Sequence, residues 1–340
     1  MIKKLEIIDF SFDFVIILNI QYSVYSIIME NDLLRPLISQ QGKVVIALAK
    51  IFLNHKPGEK IERYQDYAKR FQVGTGTVQA ALKYLQDVGA INLSTKGHLG
   101  TFIETMDYPQ LCALAGQDII VGGMPLPYSR RYEGLASGLN KAFSKANLGI
   151  NLLFCRGSMN RIKTLIQGRY DFIVLSKYAC DSAKTMGWKI KDIFELGIET
   201  YVGQHAIFLR DQSKQTIENG MKVGIDPDSI DQINLCKEVT KDLKVEFVEI
   251  SYMNLSSALR EKQIDATIWN TDDFATSDQG FKIISLPKNQ ITQNLDNTSA
   301  VIAVKEDHQS LIHTFQSIID VNLILDIQRK VMNKEMLPMY

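Results

Sequence analysis

The sequence predicts an α/β protein in which a small domain of three helices and two strands precedes a larger domain built of two similar lobes. Amphipathic helices and a hairpin occupy residues 33–105, whereas hydrophobic strands alternate with helices over residues 118–335. Within this second region, a set of residues recurs 94 positions later. The chain has 340 residues, of which 46% are hydrophobic and 22% charged, as expected for a globular protein of two or three domains.

The charge is distributed unevenly along the chain. Lys plus Arg and Asp plus Glu are both 38, but Arg35–Gly100 carries ten basic and four acidic residues. This asymmetry indicates that the small domain meets a polyanion. The four cysteines lie far apart and the five histidines form no ligand cluster, which excludes the usual metal and disulfide patterns. We therefore expect reduced thiols, a cytoplasmic protein and no cofactor.

The N-terminus contains an apolar stretch, Phe10–Ile28, interrupted by Asp13. An aspartate near the middle of a bilayer costs about 3 kcal/mol. We therefore interpret residues 1–28 as an upstream extension, with Met29 as the start. The alternative is a membrane-anchored regulator that uses residues 10–28 as its anchor.

Three helices and a hairpin are predicted within residues 29–105, followed by a linker at residues 106–117. The apolar stripe of the first helix consists of Val44, Val45, Leu48, Ile51 and Phe52. A second helix fits Glu62–Phe71, with Tyr64, Ala68 and Phe71 facing inward. The third begins at Gly74, buries Val78, Leu82 and Leu85, and ends at Gly89. Strands around Ala90–Leu93 and Thr101–Glu104 then complete a winged helix-turn-helix.

The polar face of the third helix predicts binding to a double-stranded DNA operator. Such a helix enters the major groove, where its first residues reach base edges while flanking cations contact phosphates. The candidate DNA-binding residues are Arg63, Lys69, Arg70, Thr75, Thr77, Gln79, Lys83, Lys96 and His98.

Val73–Leu82 and the wing Gly97–Ile103 resemble the GntR-type winged helix. That family usually has arginine where this chain has Thr75 and Gln79. Because arginine reads guanine and glutamine suits adenine, the operator preference of the family should not transfer. The resemblance implies a homodimer that binds two half-sites.

The second region follows a strand–helix rhythm that predicts an α/β fold with two lobes. Predicted strands are Asp118–Gly123, Ile150–Phe154, Phe172–Ser176, Lys222–Ile225, Val245–Ile250 and Ala266–Trp269. Predicted helices are Arg131–Lys145, Asn160–Gln167, Ile230–Lys241 and Leu255–Lys262. The repeated residues support two related halves: Met159, Asn160, Leu165 and Asp171 recur as Met253, Asn254, Leu259 and Asp265.

Loops at the carboxyl ends of these strands are the candidate ligand site. Helix N-termini and arginines in the loops suit a small anionic metabolite with an apolar or ring portion. The candidate ligand-binding residues are Tyr128, Ser129, Arg130, Arg156, Ser158, Ser176, Asp226, Tyr252 and Asn270.

Met124–Gly138, Tyr201–His205, Val223–Asp226 and Ile268–Asn270 resemble the YhfZ family over roughly residues 33–340. That family joins a GntR-like winged helix to a type 2 periplasmic-binding-protein-like domain. The resemblance therefore implies a transcription regulator that senses a small-molecule effector, and it leaves the effector open.

Catalytic motifs are missing from the sequence. There is no G-x-S-x-G elbow, H-E-x-x-H motif or Walker loop. Asp272 and Asp273 could be interpreted as a pair of catalytic acids, but adjacent side chains on a strand or loop point apart. We therefore expect a protein that is not an enzyme, with an enzyme built on the binding-protein fold as the remaining alternative.

Overall fold

The computed structural model describes residues 38–272, 280–287 and 295–340, and the chain divides into two units after Asp118. The apolar stretch 10–28 and the proposed start at Met29 lie outside the described residues. None of the helices within the described ranges has the length and hydrophobicity that a bilayer crossing requires.

The first unit is a winged helix-turn-helix, as predicted. Its elements are α1 (Gln40–Phe52), α2 (Tyr64–Phe71), α3 (Thr75–Asp87), β1 (Ile91–Thr95) and β2 (Thr101–Met106). The two strands are antiparallel, and Lys60 forms a further antiparallel bridge to Phe102 in β2. Ser39 caps α1 by accepting a hydrogen bond from the Gly42 amide.

The core of this unit differs from the prediction at α2. Tyr67 and Ala68 are buried, whereas Tyr64 and Phe71 are partly exposed. Positions 64, 67, 68 and 71 form one helical stripe, and Tyr67 lies at its centre next to Ala68. The inward residues of α3 are buried as predicted, joined by Ala81.

Residues 106–117 are not an extended linker, because Tyr108–Ala115 form helix α4. Asp107 caps this helix at its start, and Gly116 ends it in the left-handed conformation. Four of its residues are buried at helical spacing: Tyr108, Leu111, Cys112 and Ala115. The Tyr108 hydroxyl donates a hydrogen bond to the His55 carbonyl at 2.8 Å, and α4 packs against α1. The segment is therefore part of the first unit.

The second unit contains the predicted alternation of strands and helices. Its strands are β3 (Ile119–Met124), β4 (Gly149–Phe154), β5 (Phe172–Ser176), β6 (Ile190–Glu195), β7 (His205–Leu209), β8 (Lys222–Ile225), β9 (Glu246–Glu249), β10 (Ala266–Asn270), β11 (Lys282–Ser285) and β12 (Ala300–Lys305). Its helices are α5 (Arg130–Lys145), α6 (Ser158–Ile166), α7 (Lys177–Thr185), α8 (Ile230–Val239), α9 (Leu255–Arg260), α10 (Gln309–Ile318) and α11 (Val321–Met332).

Two five-stranded sheets form two lobes. The first lobe has the strand order β4-β3-β5-β12-β6 and the second has β11-β7-β10-β8-β9. In each sheet three strands are parallel, and one antiparallel strand (β12 or β7) lies beside them. The chain passes from the first lobe to the second between β6 and β7 and returns between β11 and β12. The predicted two-lobed architecture is confirmed, and β5 and β10 are buried along their whole length, as central parallel strands are.

The residues that repeat in the sequence occupy equivalent places in the two lobes. The Asp171 carboxylate accepts a hydrogen bond from the Val121 amide in β3 at 2.8 Å. The Asp265 carboxylate accepts one from the Lys222 amide in β8 at 2.9 Å. Each aspartate therefore ties the start of the third parallel strand of its lobe to the first strand.

Helices α5 and α11 pack closely because α5 carries two glycines on one face. A Cβ on Gly134 would lie 2.8 Å from the Gln328 carbonyl oxygen, and one on Gly138 would lie 2.7 Å from that of Ile324. Both glycines belong to the segment Met124–Gly138, so part of that motif serves helix packing.

Candidate functional site

The exposed face of α3 is the candidate DNA-binding surface. Gly76 and Ala80 lie at its centre, and Gln79, Lys83 and Tyr84 are exposed beside them. Thr75 and Thr77 are partly exposed at the edges. The small central residues allow a partner to approach the helix backbone, while the amide, ammonium and phenol groups offer hydrogen bonds. Tyr84, which is 44% exposed, is absent from the sequence-based prediction.

The predicted phosphate contacts differ in how free their side chains are. Arg63, Lys69, Lys96 and His98 are exposed, the last two around the short 3₁₀ turn Gly97–Leu99 at the wing tip. The Lys96 ammonium lies 4.9 Å from the centre of the Phe102 ring. The Arg70 guanidinium is held by Glu62 at 2.7 Å, with both side chains at the surface. Glu62 therefore competes with any DNA phosphate for the Arg70 guanidinium.

The facing edges of the two lobes are joined by a row of polar contacts, which we call the clasp. The first lobe contributes Arg156, Ser158 and Ser176, and the second lobe contributes Asp228, Ile230 and Asp231. The Arg156 guanidinium pairs with the Asp228 carboxylate at 2.8 Å. The Ser158 hydroxyl accepts a hydrogen bond from the Ile230 amide at 3.2 Å, and the Ser176 hydroxyl donates one to Asp231 at 2.6 Å. The lobes are therefore closed on each other.

Gly157 makes the tightest approach in the clasp. Its φ is +76°, and a Cβ there would lie 2.5 Å from the Cβ of Asp228. A side chain at this position would both strain the backbone and push against the second lobe.

A second connection between the lobes lies beside the crossover from β6 to β7. The Arg131 guanidinium in α5 pairs with Asp272, which follows β10, at 3.1 Å. Asp272 also accepts a hydrogen bond from the Gly203 amide at 2.9 Å, and Arg131 donates to the Glu199 carbonyl. Arg131, next to the predicted Arg130, is thus the arginine of α5 that links the lobes.

A cavity of about 50 Å³ lies between the lobes. Five predicted ligand-binding residues line it: Tyr128, Arg156, Ser158, Asp226 and Tyr252. Their neighbours in the lining include Tyr132, Cys155, Arg161, Tyr201, His205 and Asp231. Residues from both lobes therefore line the same space.

The other four predicted residues do not line this cavity. Ser129 caps α5 through the Tyr132 amide, and Arg130 is exposed on the first turn of that helix. Ser176 caps α7 and donates a hydrogen bond to Asp231, so it is connected to the cavity only through that aspartate. The Asn270 side chain donates to the Tyr252 hydroxyl at 2.6 Å and thereby orients that ring.

Aromatic rings form one wall of the cavity. Tyr128 of the first lobe lies 5.9 Å from Tyr252 of the second, measured between ring centres. Tyr132 contacts both Tyr128 and Tyr201 edge-to-face, with centres 5.2 Å apart in each pair. Burial raises the pKa of the Tyr132 and Tyr201 hydroxyls, so both rings stay neutral.

Arg161 and Asp231 are buried charges on opposite lobes that both face the cavity. Arg161, only 2% exposed, donates to the carbonyls of Val174 and Cys155 and to the Tyr201 hydroxyl. Burial raises the pKa of Asp231 to about 6, although Ser176 and the charge of Arg161 oppose this shift. Within the described ranges, neither residue forms an ion pair.

His205 adds a neutral polar group to the cavity lining. Burial lowers the pKa of its ring to about 4, so the imidazole is uncharged at neutral pH. Its Nδ1 atom is buried and has no hydrogen-bond partner among the described residues. A buried polar atom without a partner is costly, which makes His205 a candidate for ligand contact.

Arg161, Asp231 and His205 are absent from the sequence-based prediction. A signal for Arg161 exists, because it lies in the buried stripe of α6 with Ser158, Ile162 and Leu165. A charged residue on the inward face of a helix requires a partner inside the fold.

A cluster of Cys180, Asp181 and Asp192 in the first lobe has ligand atoms within 4.8 Å of one another. The Lys184 ammonium contacts both carboxylates and so supplies the positive charge there. Burial raises the pKa of the Cys180 thiol to about 12, which keeps it protonated. This donor set does not suit a metal ion.

Comparison with known families fits the two units. The family model described as "YhfZ C-terminal domain" matches residues 107–340. The chain belongs to the YhfZ family. A second model, described as a helix-turn-helix domain, matches residues 56–103. The uncharacterized protein YhfZ of Escherichia coli strain K12 is 31% identical over 311 residues, covering 90% of this chain and 99% of that protein.

Two solved structures illustrate what this chain is similar to. The crystal structure of YhfZ from Shigella flexneri covers 69% of this chain and 98% of its own, with 29% identity and a TM-score of 0.59. A periplasmic substrate-binding protein of an ABC transporter from Coxiella burnetii covers 65% of this chain and 100% of its own, with 16% identity and a TM-score of 0.43. Membership in the YhfZ family confirms the resemblance seen in the sequence, and the second unit has the two lobes that this resemblance implies.

Proposed function

We propose that this protein is a cytoplasmic, homodimeric transcription regulator that binds an operator through its winged helix and senses a small metabolite in the cavity of its second unit. One observation carries the proposal: a helix-turn-helix unit with an exposed α3 face is joined to a unit whose two lobes close around a lined cavity. Neither DNA binding nor ligand sensing requires a catalytic step.

DNA binding is supported by the α3 face and the basic side chains around it. Gln79 suits the donor and acceptor pattern of adenine in the major groove. Lys69, Lys83 and Lys96 supply charges that hold the backbone without reading sequence. The GntR-like character of the winged helix and the homodimer rest on the resemblance alone. A dimer would place two α3 helices in successive major grooves of a palindromic operator.

Sensing is supported by the closed clasp. A ligand that contacts both lobes favours the closed state by its difference in affinity for the closed and open states. An anionic group of the ligand can pair with the arginines of the first lobe. The same closure can change operator affinity, with a coupling of about 1–3 kcal/mol, or roughly 5–150-fold. DNA must then change ligand affinity by the same factor.

The DNA half is tested with the full chain and an operator selected from genomic fragments. Lys96→Ala should weaken binding to all sequences and flatten the slope of log K against log salt by about one unit. Gln79→Ala should instead change the preferred sequence and leave the slope nearly unchanged. Binding that does not depend on salt, or no binding to any fragment, would contradict the proposal.

The sensing half is tested through Cys155, because it lines the cavity and is partly exposed while Cys112, Cys180 and Cys236 are buried. A ligand found by thermal shift should slow the alkylation of Cys155 and change operator affinity. A tight ligand that protects Cys155 and leaves operator affinity unchanged would exclude a sensing role. Chemical turnover of that ligand would favour the enzyme alternative.

A further inference from the structure

Two opposite charges in the cavity lining are buried and form no ion pair with any residue that the structure describes. The Arg161 side chain donates hydrogen bonds to neutral oxygen atoms, namely two carbonyls and one phenol. The Asp231 carboxylate accepts from the neutral Ser176 hydroxyl. A buried charge that forms no ion pair is costly. The charge of Arg161 lowers the pKa of Asp231, but burial outweighs it, so a ligand group of opposite sign beside each residue would stabilise both.

The neighbouring charges of the clasp do not supply these partners. Arg156 is already paired with Asp228 and lies 3.8 Å from Asp226. Both oxygens of Asp226 also accept backbone hydrogen bonds, from the amides of Asp228 and Tyr252. Among the described residues of the lining, Arg161 and Asp231 are therefore the two charged side chains that form no ion pair.

We infer that the effector is a small zwitterion of the amino-acid type, whose carboxylate pairs with Arg161 of the first lobe and whose ammonium group pairs with Asp231 of the second lobe. This inference rests on the proposed function, since it assumes that the cavity is the effector site. A zwitterion neutralises both buried charges and bridges the lobes. A simple anion would leave Asp231 unpaired, and a simple cation would leave Arg161 unpaired.

The rest of the lining fits such a ligand. The faces of Tyr128 and Tyr252 lie at the junction of the lobes, and aromatic rings attract an ammonium group. His205 offers a buried nitrogen to a polar side chain of the ligand. The cavity of about 50 Å³ between the closed lobes favours a small ligand.

The charge state of Asp231 provides a second way to detect an ammonium group of the ligand beside this carboxylate. In the protein alone its pKa is raised to about 6 by burial, and the titratable groups near it are Arg161, Tyr178 and Tyr201. An ammonium ligand favours the ionised carboxylate, so binding at pH 5.5 should release protons. Calorimetry in buffers of different ionisation enthalpy measures that release directly.

The test uses the full chain and a panel of glycine and the chiral standard amino acids in both L and D forms, screened by thermal shift and measured by calorimetry. For each amino acid that binds, two matched probes follow: the amine without the carboxylate and the hydroxy acid without the amino group. Both probes should bind about 30-fold more weakly or worse. Failure of every amino acid to bind, or equal binding of the hydroxy acid, would overturn the inference.

Asp231→Asn separates the ammonium contact from folding, because asparagine keeps the shape and can still accept from Ser176. This variant should lose amino-acid affinity about 30-fold or more, whereas the exposed Asp242→Asn in the same lobe should not. An amino acid that binds without changing operator affinity would defeat the proposed function and leave the ligand class intact. A phosphorylated ligand that changes operator affinity while amino acids fail would do the reverse.

Discussion

Gly157 of the first lobe lies so close to Asp228 of the second that a Cβ on the glycine would come within 2.5 Å of the aspartate Cβ. The contact is possible because Gly157 adopts a φ of +76°, which side-chain-bearing residues rarely reach. The closed arrangement of the lobes thus depends on the absence of a side chain at one position.

Gly157→Ala should hold the lobes apart. A positive φ costs a residue with a side chain roughly 1–2 kcal/mol. At this position the methyl group would also clash with Asp228. We expect ligand affinity to fall at least about 10-fold and alkylation of Cys155 to become faster. Gly187→Ala is the matched control, because Gly187 has a φ of +90° and nothing within 4 Å of its Cβ position. Equal effects of the two substitutions would show that the contact with Asp228 is irrelevant to closure.

Glu62→Gln should strengthen DNA binding. Glu62 holds the Arg70 guanidinium at 2.7 Å, and removing its charge frees Arg70 for a phosphate. All sequences should bind more tightly, and the salt slope should steepen by up to about 0.9. Glu104→Gln removes an exposed acid of the same unit that forms no ion pair with the described residues and serves as the control. If both substitutions act equally, the effect is one of net charge and Arg70 contributes no contact.

Gly76→Ala should separate stability from DNA binding. No atom of the protein lies within 4 Å of the Cβ position of Gly76, so alanine fits and should stabilise α3 by up to about 1 kcal/mol. The added methyl group lies at the centre of the exposed face and should weaken operator binding. Thermal unfolding and fluorescence anisotropy measure the two effects. Unchanged operator affinity would mean that the DNA does not approach this face closely.

The sequence predicts well those elements of the fold that local residue patterns determine. Apolar stripes locate α1 and α3, and the repeated aspartates Asp171 and Asp265 identify two related lobes, because each ties the same two strands together. Helix α4 is missed, because residues 106–117 are predicted as a linker, although Pro109 lies in the first turn, where proline is well tolerated.

The cavity is predicted only in part, because its composition depends on how the lobes meet. Loop positions such as Arg156 and Asp226 follow strands and can be placed from the order of elements. Arg161 and Asp231 lie within helices, and only the tertiary structure shows that both face the same cavity. Arg130 and Arg131 cannot be distinguished in the sequence, since one helical step decides which of them reaches Asp272.

Asp231→Asn should stabilise the protein without ligand at pH 8 and have little effect at pH 4. The pKa of Asp231 is about 6 in the folded protein and 3.8 in the reference state, so the folded protein binds this proton more tightly. Stability is therefore lost as the pH rises from about 4 to about 6, and the loss persists above that range. A difference of about two pKa units corresponds to at most about 3 kcal/mol. Urea unfolding at both pH values measures it, with Asp242→Asn as the control. A variant that is less stable than the parent at pH 8 would mean that Arg161 already compensates the carboxylate, and the cavity would then need no cationic group from a ligand.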